Sequence, residues 1–291
     1  MGTNTIDTRG LDGPLPRPEE LYLALVKKAL TFGLWKDEPG LPIAALNDSR
    51  PFLKRRAVDL VSNVLDRAGL ELATRSRRTE TDRQEGTFWP RYAHTMIGEK
   101  RLDNIQRCVE RVLEDKVPGD LLEAGVWRGG ACIFMAAVLA AHGVTDRRVF
   151  VADSFQGLPP PDAKKYPQDA GDPHHEREYL RVSRSEVEEN FRRYGLLSDQ
   201  VVFLQGWFSE TMPAAPIDRL AVLRVDGDMY GSTMDVLVNM YPKLAPGGFC
   251  VIDDYALPGC RRATDDFRRV NGISVGLTQI DRTGVFWRND A

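Results

Sequence analysis

The chain has 291 residues, and at about 150 residues per domain this length predicts one large domain, or one domain with an added subdomain. Hydrophobic residues make up 42% of the chain and charged residues 28%, which is ordinary for a soluble globular protein. The net charge of −3 excludes a general basic field for nucleic acid, and the longest apolar run is too short to span a bilayer. We therefore expect neither nucleic acid nor a membrane as a partner.

The cysteines and the N-terminus predict a cytoplasmic protein. No two of the four cysteines have C-x-x-C spacing, so we expect buried thiols in a reducing compartment rather than disulfides or a zinc site. The first residues are polar and lack the apolar core of a signal peptide.

The N-terminal third predicts two helices and a linker. A helix opens at Pro18, and a second amphipathic helix runs near 51–70. The charged stretch Thr74 to Gly86 has no apolar residue and is expected to be a mobile linker or loop. We divide the chain into a flexible tail, an N-terminal helical or lid region and a catalytic domain, at residues 1–16, 17–90 and 91–291.

From Gly119 onward, short apolar runs alternate with helical stretches. The runs DLLEAGV, RVFVADSF, QVVFLQGWF, LAVLRVDGD and GGFCVIDDY each indicate a buried strand, so the pattern predicts a parallel sheet covered on both faces. ISVGLTQI, the turn DRTG and VFWR indicate a final antiparallel hairpin. This is the Rossmann-like α/β architecture of class I methyltransferases, with a mostly parallel seven-stranded sheet and here an N-terminal helical extension.

The ends of the first three strands carry residues suited to a nucleoside ligand. After the first strand, Gly125 begins a G-x-x-x-G-G turn, which lacks the spacing of a pyrophosphate loop and suits S-adenosylmethionine, which has no phosphate. After the second, Asp153 can accept hydrogen bonds from ribose hydroxyls, although Asp153 or Ser154 could instead cap a helix. After the third, Trp207 and Phe208 could lie along an adenine ring or pack in the core. Together these strand ends favour a methyl donor site.

Four aspartates follow the fourth and fifth strands. Asp226 and Asp228 end one strand, and Asp253 and Asp254 end the other, so up to four carboxylates meet if the strands are neighbours. Like charges disfavour one another's ionised forms, and a hard cation such as Mg²⁺ or Mn²⁺ resolves the conflict. The alternative is that these acids cap helices or pair with nearby arginines. A cation would acidify a hydroxyl, and a neighbouring carboxylate could take its proton.

A polar loop contains two of the four histidines, His174 and His175. These could form a second metal site or supply a base, and we favour a solvated loop over the active site.

The residues resemble the macrocin O-methyltransferase (TylF-type) family of antibiotic sugar methyltransferases. The resemblance runs from about Trp89 to Trp287 and is carried by AHTMIGEKRLDNIQ, LLEAGVWRGGA, VADSFQGLP, VVFLQGWFSETMP, LRVDGDMYGSTMD and PGGFCVIDDY. One departure is Gly231, where an acid is common in the family.

The resemblance implies S-adenosylmethionine as donor, Mg²⁺ dependence, a sugar hydroxyl of a small glycosylated natural product as acceptor, and a homodimer. It implies that the metal ligands are Asp226, Asp253 and Asp254, with Asp228 as the general base. The implied cofactor contacts are Thr95, Met96, Glu123, Ala124, Gly125, Val126, Trp127, Asp153, Ser154, Trp207 and Phe208. Thr74 to Gly86 and Asp162 to Glu178 are the candidates for segments that close over the site.

Three alternatives remain open. A metal-dependent catechol-type methyltransferase would share donor and cation but need a flat acceptor slot. A Rossmann oxidoreductase is disfavoured by the glycine spacing and the terminal hairpin. A scaffold that keeps the fold has no use for four clustered aspartates.

Overall fold

The computed structural model describes residues 16–35, 52–73, 79–89 and 91–290. Within these ranges, four α-helices precede the sheet: α1 (Pro18–Leu30), α2 (Phe52–Arg67), α3 (Glu80–Glu85) and α4 (Glu99–Glu114). The helices predicted from Pro18 and near 51–70 are confirmed, and Pro18 occupies the first turn of α1, where its missing N–H costs nothing. The predicted tail lies outside the described residues except for Pro16.

Helix α3 corrects the prediction of a mobile linker. The Thr79 hydroxyl accepts a hydrogen bond from the Asp82 N–H at 3.2 Å, and the Asp82 carboxylate accepts one from the Thr79 N–H at 2.9 Å. Gly86 ends the helix in the left-handed conformation, with φ of 63°. A charged sequence without apolar residues therefore forms a helix here because both ends are capped. The linker prediction is wrong for residues 79–86, and residues 74–78 lie outside the described part of the chain.

The rest of the chain forms a seven-stranded sheet with helices between the strands. The elements are β1 (Asp120–Ala124), α5 (Gly130–Ala141), β2 (Val149–Asp153), α6 (Arg184–Arg193), β3 (Val201–Gln205), α7 (Phe208–Ala214), β4 (Leu220–Val225), α8 (Tyr230–Met240), β5 (Leu244–Ile252), α9 (Pro258–Val270), β6 (Thr278–Gln279) and β7 (Val285–Arg288). The strand order is β3-β2-β1-β4-β5-β7-β6, with β7 antiparallel to both of its neighbours. The predicted parallel sheet and terminal hairpin are confirmed, although β6 pairs over only two residues of the predicted run.

Alternate strand residues face opposite layers of the core. Leu121 and Val222 pack with residues of α1, α4, α5 and α6, whereas Leu122 and Leu223 pack with residues of α7, α8 and α9. This alternation follows from the two-residue period of a strand. Because α1 shares the first of these cores, it belongs to the same folded body as the sheet. The division of the chain at residue 90 stays a prediction.

The strand order reverses between β1 and β4. β1 pairs with β2 on one side and β4 on the other, so the connections leave the sheet in opposite directions and open a crevice at the carboxyl ends of the strands. All four cysteines are free and buried, in line with the prediction of buried thiols. Across the described ranges, no helix has the length and apolarity needed to cross a bilayer.

His94 links the end of α1 to the end of α6. Its backbone N–H donates to Leu30 O at the end of α1 at 2.8 Å, and its Nδ1 lies 2.8 Å from the hydroxyl of Tyr194 at the end of α6. Burial, with the positive charges of Arg128 and Arg193, lowers the pKa of His94 to about 4.

We expect this half-buried imidazole to make the protein less stable as the pH falls from about 6.5 to about 4. In that window the unfolded chain binds a proton at His94 and the folded chain does not, so the free energy of unfolding falls by about 1–3 kcal/mol from this site. His94→Asn should therefore show a shallower loss than wild type when urea denaturation is followed across these pH values. His142→Gln is the control, because His142 lies at the surface beside Glu110. Parallel curves for wild type and His94→Asn would contradict this assignment.

Candidate active site

Two adjoining cavities occupy the crevice at the carboxyl ends of the strands. The first contains most of the predicted cofactor contacts: Met96, Gly125, Trp127, Asp153, Ser154, Trp207 and Phe208. The second contains Thr95, Met96, Glu123, Val126 and Trp127 together with all four predicted aspartates. Met96, Trp127, Asp226 and Asp228 line both cavities, so the two spaces meet at these residues. Ala124 lines neither cavity and is fully buried within β1.

Three non-glycine residues after the strands have positive φ. Trp127 (47°), Phe155 (56°) and Asp228 (53°) follow β1, β2 and β4. Such backbone strain costs on the order of 1–3 kcal/mol per residue and persists where the surroundings enforce it, as ligand sites often do. The concentration of strained residues at one edge of the sheet supports a binding role for this edge.

Asp153 organises the turns that follow β1 and β2. One of its carboxylate oxygens accepts from the Val126 N–H at 2.8 Å, and the other accepts from the Phe155 N–H at 2.7 Å. Ser154 accepts from the Gln156 N–H and donates to Gly157 O. No helix begins at either residue, so both shape a turn rather than cap a helix. Asp153 also lines the first cavity, so its carboxylate lies where a ligand hydroxyl could reach it.

Three carboxylates converge where the cavities meet. Asp226, Asp228 and Asp254 each offer an oxygen, and these oxygens all lie within 4.8 Å of one another. Burial, with the negative charges of Asp226 and Asp253, raises the pKa of Asp228 to about 8. Burial and the negative charges of Asp226, Asp228 and Asp253 raise the pKa of Asp254 well above its ordinary value. The Oδ2 atom of Asp254 is buried and has no hydrogen-bond partner among the described residues, which fits a cluster built to hold a cation.

Asp253 has different surroundings, because both of its oxygens are bonded by arginines. Arg224 donates to one oxygen and Arg101 to the other. Burial alone would raise the pKa of Asp253, but these two positive charges lower it below its ordinary value. Asp253 therefore lies outside the group of three converging carboxylates, and its assignment as a metal ligand stays a prediction.

Arg224 lines the second cavity and pairs with three of the carboxylates there. Only 1% of its surface is exposed, and besides Asp253 it donates to Glu123 and, at 3.0 Å, to Asp226. The second oxygen of Glu123 accepts from the Cys132 thiol at 2.9 Å. The carboxylates raise the pKa of Arg224 well above its ordinary value, against the lowering effect of burial. One guanidinium thus holds side chains from β1 and from the turns after β4 and β5.

The family model described as macrocin-O-methyltransferase (TylF) matches residues 19–289, which is most of the chain. The chain belongs to this family. It is an O-methyltransferase, as the resemblance of its motifs implied.

Named relatives of the TylF family agree with this placement. The chain is 55% identical over 223 residues to mycinamicin III 3''-O-methyltransferase of Micromonospora griseorubida, covering 76% of this chain and 88% of the relative. It is 49% identical over 273 residues to 8-demethyl-8-(2,3-dimethoxy-alpha-L-rhamnosyl)-tetracenomycin-C 4'-O-methyltransferase of Streptomyces olivaceus, covering 94% of each. The solved structure of the O-methyltransferase NovP is 44% identical with a TM-score of 0.79, over 94% of this chain and all of that chain.

In this TylF-family chain, residues 158–182 form one wall of the site and include the segment Asp162 to Glu178 that the sequence predicted to close over it. Leu158, Pro159 and Pro160 line the first cavity, and His174, Arg177 and Tyr179 line the second. The polar composition of Asp162 to Glu178 signalled a segment near the site but not which side chains face it.

Hydrogen bonds at two points hold this segment, which we call the 158–182 wall. In its middle, the buried carboxylate of Asp169 accepts from the N–H groups of Tyr230 and Gly231, in the first turn of α8, at 2.7 and 2.8 Å. Near its C-terminal end, the Trp127 indole N–H donates to Tyr179 O at 2.8 Å. A Cβ at Gly231 would lie 2.5 Å from the Tyr166 ring. The absence of a side chain at this position therefore allows the wall to pack closely against α8.

We expect Gly125→Ala to destabilise the protein on the order of 4 kcal/mol. Gly125 has φ of 93°, and an added Cβ would lie 1.8 Å from the backbone oxygen of Asp226, so β1 and β4 would have to separate. Gly143→Ala is a matched control, since Gly143 also has positive φ but has no atom near its missing Cβ. That variant should lose only about 1 kcal/mol, the strain of the left-handed conformation. Urea denaturation measures both, and equal losses would contradict the proposed clash.

Proposed function

We propose that this chain transfers the methyl group of S-adenosylmethionine to a sugar hydroxyl of a glycosylated natural product, with a Mg²⁺ ion held at the aspartate cluster. The observation that carries the proposal is the meeting of the two cavities at Trp127, Asp226 and Asp228. A donor in one cavity and an acceptor in the other would then face each other, as methyl transfer requires.

The first cavity suits S-adenosylmethionine. Its walls combine apolar side chains, which can enclose a purine ring, with the carboxylate of Asp153, which can accept from ribose hydroxyls. Trp207 and Phe208 line this cavity at the start of α7, although Phe208 also packs against the second core. When bound, the donor supplies an electrophilic sulfonium methyl group.

The aspartate cluster suits Mg²⁺, because its donors are all oxygens and its buried negative charge lacks full compensation. Asp226 and Asp254 belong both to the ligand set implied by the family and to the group of converging oxygens, so we assign them as ligands. When bound, a divalent cation offsets the carboxylates and makes an acceptor hydroxyl more acidic.

The proton of the acceptor hydroxyl passes to Asp228 in this proposal. Asp228 lines both cavities, where a hydroxyl facing the donor would lie within its reach. The strained backbone at this residue, with φ of 53°, holds the carboxylate at the junction rather than along α8. The acceptor class rests on the relatives, one of whose names includes a rhamnosyl group, and on the family resemblance.

Calorimetry tests the donor, and a small panel of acceptors tests the substrate class. We expect S-adenosylmethionine and S-adenosylhomocysteine to bind the purified protein and NADH not to bind; the reverse result would overturn the proposal. With S-adenosylmethionine and Mg²⁺, we expect methylation of mycinamicin III or of the rhamnosyl tetracenomycin named above, and not of catechol. Methylation of catechol alone would instead support the phenolic alternative.

A further inference from the structure

One histidine of the 158–182 wall has an unused nitrogen beside the aspartate cluster. His174 lines the second cavity together with Asp226, Asp228 and Asp254. Its side chain is 19% exposed, and its Nδ1 lies 2.7 Å from Oδ1 of Asp172. In the described part of the chain, no group bonds to its Nε2.

Asp172 determines which nitrogen of His174 carries the proton. A carboxylate only accepts hydrogen bonds, so Nδ1 must be the donor to Asp172. In the neutral imidazole Nε2 then has a lone pair and accepts. The same Asp172 oxygen also accepts from the His174 backbone N–H at 2.8 Å, which fixes the side chain relative to its own backbone.

The position of this pair is tied to the aspartate cluster through the chain. The Asp172 N–H donates to Asp169 O at 3.0 Å, and Asp169 is bonded to the first turn of α8, directly after Asp228. The pair of His174 and Asp172 is therefore held in place through Asp169. Asp172 also contributes to the high pKa of Asp228, and Arg177 opposes it, so both residues lie near that carboxylate.

We propose that His174 is an acceptor-binding residue, whose Nε2 accepts a hydrogen bond from a hydroxyl of the acceptor that neighbours the one being methylated. The inference rests on the proposed function and deepens it, because it adds a contact that selects acceptors with two adjacent hydroxyls. No proton is transferred to His174 in this role. Asp172 acts as a positioning residue by holding the imidazole in the accepting form.

His175 provides a matched control. Its Nδ1 lies 3.1 Å from the backbone oxygen of Asp172, its Nε2 faces Glu176 at 3.9 Å, and it does not line the cavity. A substitution there removes a neighbouring imidazole of the same short turn without removing the proposed contact.

Two substitutions at His174 separate a binding role from a structural one. In His174→Asn the amide can still donate to Asp172, but no atom remains at the position of Nε2. In His174→Gln the amide reaches the position of Nε2 but loses the bond to Asp172. The acceptor is whichever panel glycoside the wild-type enzyme methylates faster, with S-adenosylmethionine and Mg²⁺ saturating.

We expect His174→Asn to raise the KM for this acceptor about tenfold, the loss of one ordinary hydrogen bond, and His174→Gln to stay within about threefold of wild type. His175→Asn should leave KM unchanged, and all three variants should bind S-adenosylhomocysteine like wild type. An unchanged KM in His174→Asn, or a larger rise in His174→Gln than in His174→Asn, would overturn the inference. Failure of the wild-type enzyme to bind S-adenosylhomocysteine would instead overturn the proposed function.

Discussion

Asp228→Asn is expected to lower the rate of methyl transfer by a factor on the order of 10²–10⁴, the usual contribution of a general base. The amide has the same shape as the carboxylate but cannot take the proton of the acceptor hydroxyl. Folding should not suffer, because the substitution removes one negative charge from a cluster of like charges. The measurement is kcat at saturating S-adenosylmethionine, acceptor and Mg²⁺.

The same variant tests whether Asp228 is a base or a ligand. If it is the base, the affinity for Mn²⁺, measured by paramagnetic resonance as a probe of the proposed Mg²⁺ site, should stay within about threefold of wild type. If it is a ligand, as the convergence of its oxygen with those of Asp226 and Asp254 allows, Mn²⁺ affinity should fall and high cation concentration should restore the rate. Asp265→Asn is the control, since Asp265 is an exposed aspartate of α9. A wild-type rate in Asp228→Asn would remove Asp228 from the mechanism.

Asp253→Asn complements this experiment, because Asp253 is a predicted metal ligand whose carboxylate accepts hydrogen bonds from Arg101 and Arg224. Stability should fall in either case, because Arg101 and Arg224 each lose a charged partner. A ligand role predicts weaker Mn²⁺ binding as well, whereas a role confined to the ion pairs predicts little change in Mn²⁺ affinity.

Arg224→Met is expected to lower the free energy of unfolding by about 3–5 kcal/mol, the cost of removing one partner from a buried ion pair. The methionine has a similar volume, so the loss arises mainly from Glu123 and Asp253, which would remain buried without this shared cation, and less from Asp226, which is partly exposed. Urea denaturation measures the change. Arg219→Met is the control, because Arg219 is exposed and directly precedes the same strand.

A second variant keeps the test decisive if Arg224→Met does not fold. Arg224→Met combined with Glu123→Gln neutralises the buried carboxylate that pairs with Arg224 and otherwise accepts from the Cys132 thiol, and should recover part of the lost stability. A double variant no more stable than Arg224→Met, or an Arg224→Met protein as stable as Arg219→Met, would contradict the role of Arg224 as the shared counter-ion.

Local patterns in the sequence were sufficient to predict the sheet and its edge. The strands are short apolar runs that end in glycine or aspartate, and their carboxyl ends meet because the strands are parallel. Gly125, Asp153 and Asp226 could therefore be placed at one crevice before any geometry was known. Helix α3 was missed because its stability comes from capping by Thr79 and Gly86, whereas the prediction relied on apolar periodicity.

The partners of the charged residues could not be predicted in the same way. Arg101 lies on α4, far from Asp253 in sequence, and only the folded arrangement brings the two together. Its Nε also lies 2.8 Å from Asp281, in the turn of the final hairpin. Likewise, nothing in the local sequence shows that Asp169 would bond the start of α8. Contacts of this kind depend on tertiary packing, which sequence patterns do not encode locally.

The pairing of β1 with β4 has a consequence for how the protein folds. These strands are adjacent in space but separated by roughly a hundred residues of chain, so their pairing closes a long loop and must overcome a large loss of chain entropy. Parallel sheets assembled from such distant segments fold slowly. Both cavities lie at the carboxyl ends of these two strands, so neither can exist before this pairing forms. A nascent or partly folded chain therefore has no site for the donor, and the capacity to bind it arises together with the central contact of the fold.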